Sequence, residues 1–177
     1  MKIGILGGGR VGSSLARHWQ SAGHDARVST RDTLAETAAH GDVLLLAVPC
    51  SAVEDVLAAA GPLDGKVLID ATNNLSGGPT GAEIATMAGG ARVVKSFNTV
   101  FAPFFADPPP SPPTLVLAGD DPAAKEIVAD LVRAAGFDPV DAGDHAQSAD
   151  LEAFARLVIG IAYRQGRGPF VYRFDAR

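Results

Sequence analysis

The sequence predicts an α/β protein with a largely parallel sheet covered by helices on both faces, and three observations carry that prediction. First, a short apolar run, Lys2–Leu6, leads through Gly7-x-Gly9-x-x-Gly12 into a helical stretch over Val11–Ala22. Strand, glycine turn and helix in that order form a dinucleotide-binding fingerprint, so the fold is of Rossmann type. Second, strand-like and helical patterns alternate along the rest of the chain. Third, strand runs such as Val43-Leu-Leu-Leu-Ala-Val48 are apolar throughout, as strands buried on both faces are.

Taken in order, Gly7 permits the tight turn after the first strand. Gly9 lets backbone approach a pyrophosphate with no Cβ in the way, and Gly12 lets the helix pack closely on the strand. The first amides of that helix face the phosphates. A second strand is expected over Ala26–Ser29 and a helix over Leu34–His40. Only Asp32–Asp42 lies between the second strand and the next. A helix–strand–helix insertion would need roughly twenty residues or more. The usual third strand is therefore expected to be missing, leaving a trimmed sheet with a shallower adenosine side.

Further strands are expected at Val43–Val48, Val67–Asp70, Arg92–Ser96, Leu115–Ala118 and Pro139–Asp141, with helices at Ser51–Ala60, Ala82–Ala88 and Pro122–Ala135. The proline run Asp107–Pro113 reads as a stiff surface loop. Gln147–Arg164 reads as one helix with Leu151, Phe154, Leu157, Val158, Ile161 and Ala162 at three- and four-residue spacings. That stripe suits either the core or a homodimer interface. Phe170, Tyr172 and Phe174 alternate in the tail, as in a short edge strand or a strap over the core. The expected division is a dinucleotide-binding domain over 1–146 and a closing helix and tail over 147–177.

Composition narrows the partners. At 177 residues and 47% hydrophobic, the chain can bury one good core. A formal net charge of -5 offers no basic footprint for nucleic acid. A single cysteine excludes an intramolecular disulfide and a cysteine-based zinc site. No apolar stretch has the length of a membrane span and none resembles a signal peptide, so a soluble cytoplasmic protein is expected.

The second strand ends Val28-Ser29-Thr30-Arg31, with no carboxylate before Asp32. An acidic side chain there would favour the ribose hydroxyl of NAD; a hydroxyl followed by a guanidinium suits the 2′-phosphate of NADP. Thr30 and Arg31 therefore point to NADP(H), with Asp32 placed to compete for Arg31 or to accommodate NAD.

Five segments in order, Gly7–Gly12, Ser29–Arg31, Ala47-Val48-Pro49, Asp70–Asn74 and Lys95-Ser96-Phe97-Asn98-Thr99-Val100, give the chain a family likeness. It resembles the NADPH-dependent coenzyme F420 reductases and the related nicotinamide domains of the STEAP metalloreductases. The resemblance implies that Gly7, Gly8, Gly9, Arg10, Val11 and Gly12 hold the pyrophosphate and that Thr30 and Arg31 hold the 2′-phosphate. It puts Val48 and Pro49 under the nicotinamide ribose. Ala71–Asn74, through Asn73 and Asn74, and the acceptor-side residues Asn98 and Thr99 would border the nicotinamide and the second ring system. Hydride then passes between NADP(H) and a deazaflavin (F420) or flavin stacked against it, with no protein nucleophile and no catalytic side chain. Full-length members of the family carry the third-strand region. They usually also have an arginine in the segment where Gln147-Ser148-Ala149-Asp150 stands here. Its absence argues against tight binding of that deazaflavin.

Other candidates read as structural. Cys50 is expected to be a buried space-filling thiol. His18, His24, His40 and His145 lack metal-ligand spacing, and of these only His145 falls near the acceptor face. Asp70 fits a turn-capping role as well as a cleft role. Asn73, Asn74 and Asn98 suit a carboxamide or a flavin-like ring edge, because side-chain amides both donate and accept. The expected activity is NADPH-dependent hydride transfer to a small-molecule acceptor. A non-catalytic NADP(H)-binding redox sensor and a degenerate relative without cofactor affinity are the alternatives.

Overall fold

The structure, a computed structural model, describes residues 1–75 and 77–175; the last two positions of the expected 147–177 segment lie outside them. Seven strands form one sheet: β1 (Lys2–Leu6), β2 (Asp25–Val28), β3 (Val43–Leu46), β4 (Val67–Asp70), β5 (Arg92–Lys95), β6 (Thr114–Gly119) and β7 (Asp138–Asp141). Their order is β2-β1-β3-β4-β5-β6-β7, and every neighbouring pair is parallel except β5–β6. Helices α1 (Arg10–Ser21), α2 (Leu34–His40), α3 (Val53–Ala60), α4 (Gly81–Met87), α5 (Ala102–Ala106), α6 (Pro122–Ala134) and α7 (Ser148–Ile159) cover it.

The two-residue period of the strands sorts the core into two layers. Ile3, Ile5, Leu45, Ile69, Val94 and Leu115 pack on one face with Trp19, Phe105 and Leu131 from α1, α5 and α6. Leu6, Leu44, Leu46 and Leu68 face the other way, against Val53 and Leu57 of α3 and Ile84 of α4. Near-continuous apolar runs are therefore what this sheet requires.

The trimmed sheet is present. β2 pairs only with β1, and among the described residues no strand lies beyond it. The link to β3 has room for α2 alone.

Two details differ from the sequence reading, and a third decides between two forms it left open. α5 was not foreseen; Pro103 at its start supplies a pre-set first turn, and Phe105 is wholly buried against Phe97 and Phe137. The stretch 147–164 is not one helix: a 3-10 turn (His145–Gln147) precedes α7 and a π-helical turn (Gly160–Arg164) follows it. Last, of the two forms expected for the tail, edge strand or strap, the structure takes the strap. Thr114 N–H donates to the Tyr172 carbonyl at 3.0 Å, and Phe174 N–H donates to Thr114 Oγ1 at 2.9 Å. Tyr172 packs edge-on and Phe174 tilted against Phe154 of α7, with centroids 4.9 and 6.4 Å away, while Phe170 meets Phe101. On α7 itself Leu151, Ala155 and Val158 are buried, Leu151 against Val116 and Ala118 of β6.

Candidate functional site

Strand order reverses between β1 and β3, which run parallel: the chain goes out to β2 and returns on the other side of β1. In an open parallel sheet the crevice at the carboxyl ends of such strands is the ligand site. The carboxyl ends of β1, β3, β4 and β5 carry Gly7–Gly12, Val48–Pro49, Ala71–Asn74 and Ser96–Thr99, so one edge of the sheet gathers the segments quoted from the sequence.

The glycine turn is built by three different constraints. Gly7 has φ +125°, and a Cβ there would lie 2.4 Å from the Ala47 carbonyl oxygen. A Cβ on Gly12 would fall 2.1 Å from the Gly7 carbonyl oxygen, so the close approach of α1 to β1 depends on its absence. At Gly9 a Cβ would meet nothing within 4 Å. The open space is on the ligand side, because Gly9 is the N-cap of α1, no side chain caps that end, and no acidic residue occupies its first turn. Uncapped amides at a positive dipole end, beside a cradle with room for a ligand, fit a pyrophosphate. A groove of about 450 Å³ lies there, lined by Gly8, Gly9, Arg10 and Ser13 on one side and Ala102, Pro103 and Ala106 of α5 on the other. The sequence reading missed that second wall; Pro103 after the Lys95–Val100 run was its only signal.

At the end of β2, Thr30 and Arg31 are exposed. Thr30 N–H donates to Thr33 Oγ1 at 2.9 Å and the two hydroxyls are 3.1 Å apart, so Thr33 joins the candidate pair. Among the described residues no carboxylate lies within ion-pair distance of Arg31, Asp32 included. The competition that Asp32 threatened does not occur.

Asn73 and Asn98 come together. Asn73 Nδ2 donates to the Asn98 carbonyl at 2.7 Å, and Asn98 Nδ2 donates to Asn73 Oδ1 at 3.0 Å. Among the described residues Asn98 Oδ1 is buried and receives no donor. Asn98 is presented by Phe97, whose φ of 63° is strained for a bulky residue; its ring is held edge-on to Trp19 at 5.9 Å. Asn74 does different work, accepting from Gly77 N–H at 3.1 Å and donating to the Gly78 carbonyl at 2.7 Å, which ties its own loop. Thr99 is 2% exposed and its hydroxyl lies 2.6 Å from the Tyr172 hydroxyl, under the strap. Burial pushes Tyr172 up to about 12, so it stays a neutral partner.

Beneath these residues sits a cluster that no periodicity announces. Lys95, on the last position of β5, has 0% exposure. Its ammonium donates to Asp70 Oδ2 at 3.0 Å, to the Thr72 carbonyl at 2.7 Å and to Glu152 Oε1 at 2.9 Å. Asp70 also accepts from Thr72 N–H at 2.9 Å and Thr72 Oγ1 at 2.7 Å. It thus caps its turn and holds Lys95 at once. The sequence signal was a lysine following Val93-Val94, which a buried strand admits only when the charge is paired.

A second cavity of about 490 Å³ opens between the Asn74 loop and α7, with Gly81, His145, Ala149, Glu152 and Arg156 in its walls. His145 Nε2 lies 3.0 Å from the Gly81 carbonyl and Nδ1 lies 3.3 Å from Ser148 Oγ, so both nitrogens are engaged. A larger cavity of about 540 Å³, walled by Glu54, Gly78, Pro79, Glu83, Thr86 and Met87, includes none of the candidate binding residues.

Cys50 is buried and donates to the Pro79 carbonyl at 3.1 Å. Burial, then the carboxylates of Glu152 and Asp70, push its thiol up from the ordinary value. Cys50 should therefore react slowly with iodoacetamide at neutral pH in the folded protein, and at the rate of a free thiol in urea. Equal rates in both conditions would contradict the buried placement. Among the described residues no group of three His, Cys, Asp or Glu side chains is placed to hold a metal ion, and no helix is long and apolar enough to cross a membrane.

The model of the family described as NADP oxidoreductase, coenzyme F420-dependent, matches residues 2–38 and 30–74, which contain the glycine turn, Thr30–Arg31, Val48–Pro49 and Asn73–Asn74. The match lies within the first 74 residues, less than half of the chain, and makes its nucleotide-binding region similar to that family. The F420-dependent oxidoreductase likeness extends further in space. A solved structure from Arthrobacter sp. FB24, assigned provisionally as an F420-dependent NADP reductase, is 27% identical, with a TM-score of 0.88 over 99% of this chain and 100% of that one. The two superpose over almost their whole lengths. Metalloreductase STEAP3 from Rattus norvegicus is 30% identical over 86% of this chain. The chain spans 36% of that relative's length. A reductive aminase from Aspergillus terreus, solved with NADPH and ethyl levulinate, is 24% identical with a TM-score of 0.70 over 93% of this chain and 62% of that one, a likeness of fold.

Proposed function

We propose that this chain binds NADP(H) and passes a hydride between it and a deazaflavin (F420) or flavin-like acceptor. The observation that carries the reading is the clear approach to Gly9 over the uncapped N-terminus of α1. Arg10 and Val11 open the helix beside it, and Val48 and Pro49 border the crevice at the end of β3. In this reading Thr30, Arg31 and Thr33 meet the 2′-phosphate. The carboxamide of the nicotinamide donates to Asn98 Oδ1, the buried acceptor that lacks a partner. Thr99, through Tyr172, anchors the strap on the acceptor side.

When bound, NADPH supplies the hydride; the protein's part is orientation and exclusion of water. Residues 1–146 serve as the nucleotide-binding domain and 147–177 as the segment that closes the acceptor side. A cytoplasmic homodimer belongs to the same reading, with Leu157 and Tyr163, 58% and 63% exposed on the outer side of the C-terminal segment, as the contact.

Arg31→Ala should weaken NADPH binding by about 1.5–3 kcal/mol, the scale of a hydrogen bond to a charged group. NADH affinity should stay unchanged. Titration of the nicotinamide fluorescence measures both, and equal losses would remove the 2′-phosphate role. Oxidation of NADPH on adding F420 or FMN, followed at the nicotinamide absorbance band, tests turnover. Tight binding with no oxidation by either acceptor would instead favour the redox sensor.

A further inference from the structure

We propose that the cavity between the Asn74 loop and α7 selects acceptors by an imide edge, a ring N–H flanked by carbonyl oxygens, read by Glu152 and Arg156. The inference rests on the hydride-transfer reading and deepens it by naming which chemical feature of the acceptor the protein recognises.

The argument starts from Lys95. All three of its ammonium hydrogens are used, on Asp70, Thr72 and Glu152. Glu152 is thereby fixed by one oxygen, Oε1. Among the described residues its other oxygen receives no donor, and that oxygen is not sealed from solvent, since Asn98 Oδ1 is the orphan in that class. Glu152 lines the cavity. The pocket therefore presents a carboxylate oxygen that is anchored from behind and bare in front, an acceptor for a ligand N–H.

Arg156 lies one turn further along α7, four residues on, where helix geometry makes it the neighbour of Glu152. Such a pair normally closes on itself. Here it does not: among the described residues Arg156 has no carboxylate within ion-pair distance, because Lys95 holds Glu152 inward. The wall thus offers an acceptor and a donor side by side, unpaired with each other. His145 adds no free group, since both its nitrogens are engaged. A ring N–H next to a carbonyl matches this order of acceptor and donor. A quinone, which has carbonyls and no N–H, matches half of it. The volume of about 490 Å³ falls within the usual range for a small-molecule site.

The test measures binding of riboflavin and of its N3-methyl derivative by quenching of flavin fluorescence, with no nicotinamide nucleotide present. Wild-type protein should bind riboflavin about tenfold more tightly than the N3-methyl form, the scale of one hydrogen bond to a charged group. In Glu152→Gln the amide must turn its oxygen to the Lys95 ammonium, which leaves an NH2 facing the cavity. Riboflavin affinity should then fall to that of the methylated ligand, whose own affinity stays put. Arg156→Ala should weaken both ligands alike, because both keep the carbonyl. Equal wild-type affinity for the two flavins, or no saturable riboflavin binding, would overturn the proposal. If Glu152→Gln fails to fold, the comparison of the two flavins on wild-type protein still decides it. NADPH titrations run separately, so loss of the imide preference leaves the nucleotide reading standing, and failure to bind NADPH leaves the flavin comparison intact.

Discussion

Gly9→Leu should abolish binding of NADPH and NADH alike while leaving the fold in place. The backbone at Gly9, with φ -71°, is open to any residue, and an added Cβ meets no atom within 4 Å. The folded protein therefore accepts leucine at a cost of about 1 kcal/mol at most, for the loss of a tolerated N-cap residue. The leucine would occupy the space in front of the first amides of α1, where the reading puts the pyrophosphate. Gly7→Ala is the control with the opposite signature. Its φ of +125° and the 2.4 Å approach to the Ala47 carbonyl make any Cβ there a strain on the fold. Thermal unfolding alongside nucleotide fluorescence separates the two, and retained affinity in a folded Gly9→Leu protein would end the fingerprint reading.

Lys95→Met should be the most destabilising single change at this site, by about 3–5 kcal/mol, the cost of stranding buried charge. Two carboxylates, Asp70 and Glu152, converge on one ammonium, so removing the lysine leaves like charges facing each other in the interior. Glu152→Gln should cost less, since it leaves the Lys95–Asp70 pair neutral and hydrogen-bonded. Adding Asp70→Asn and Glu152→Gln to Lys95→Met should recover a large part of the loss, because the charges then disappear together. Urea unfolding gives all three values. If Lys95→Met were milder than Glu152→Gln, the ammonium would not be the centre of the cluster.

Local patterning carried the layout of this protein further than it carried the site. Leu34–His40 and Val67–Asp70 fall where the sequence alone puts them, because an amphipathic turn and an unbroken apolar run each declare themselves within a few residues. The missing third strand was legible too, as a matter of chain length. α5 was hidden because its five residues are too few to show a period, and Phe105 turns inward for tertiary reasons. The π turn after α7 was hidden because Ile161 and Ala162 continue the apolar spacing while the backbone no longer follows it. At the site, glycines speak locally: their roles come from backbone space that strand–turn–helix order already implies. Lys95, Asp70 and Glu152 do not, since they stand 25 and 57 residues apart and meet only after the sheet forms and α7 docks. The partnership of Asn73 with Asn98 crosses from one strand end to the next in the same way.

The trimmed sheet leaves β2 as a margin, and a strand with a free side is a template on which another chain can add. This margin is short, four residues, and it carries Asp25 and Arg27, paired with each other at 3.2 Å and about half exposed. The opposite margin, β7, contains Pro139, which has no N–H to offer, between two aspartates. Both ends of the sheet are thus poor partners for an incoming strand. A second copy of this chain can meet the first through its helices, while edge-to-edge stacking, the usual first step toward fibrous aggregates, is closed at both ends.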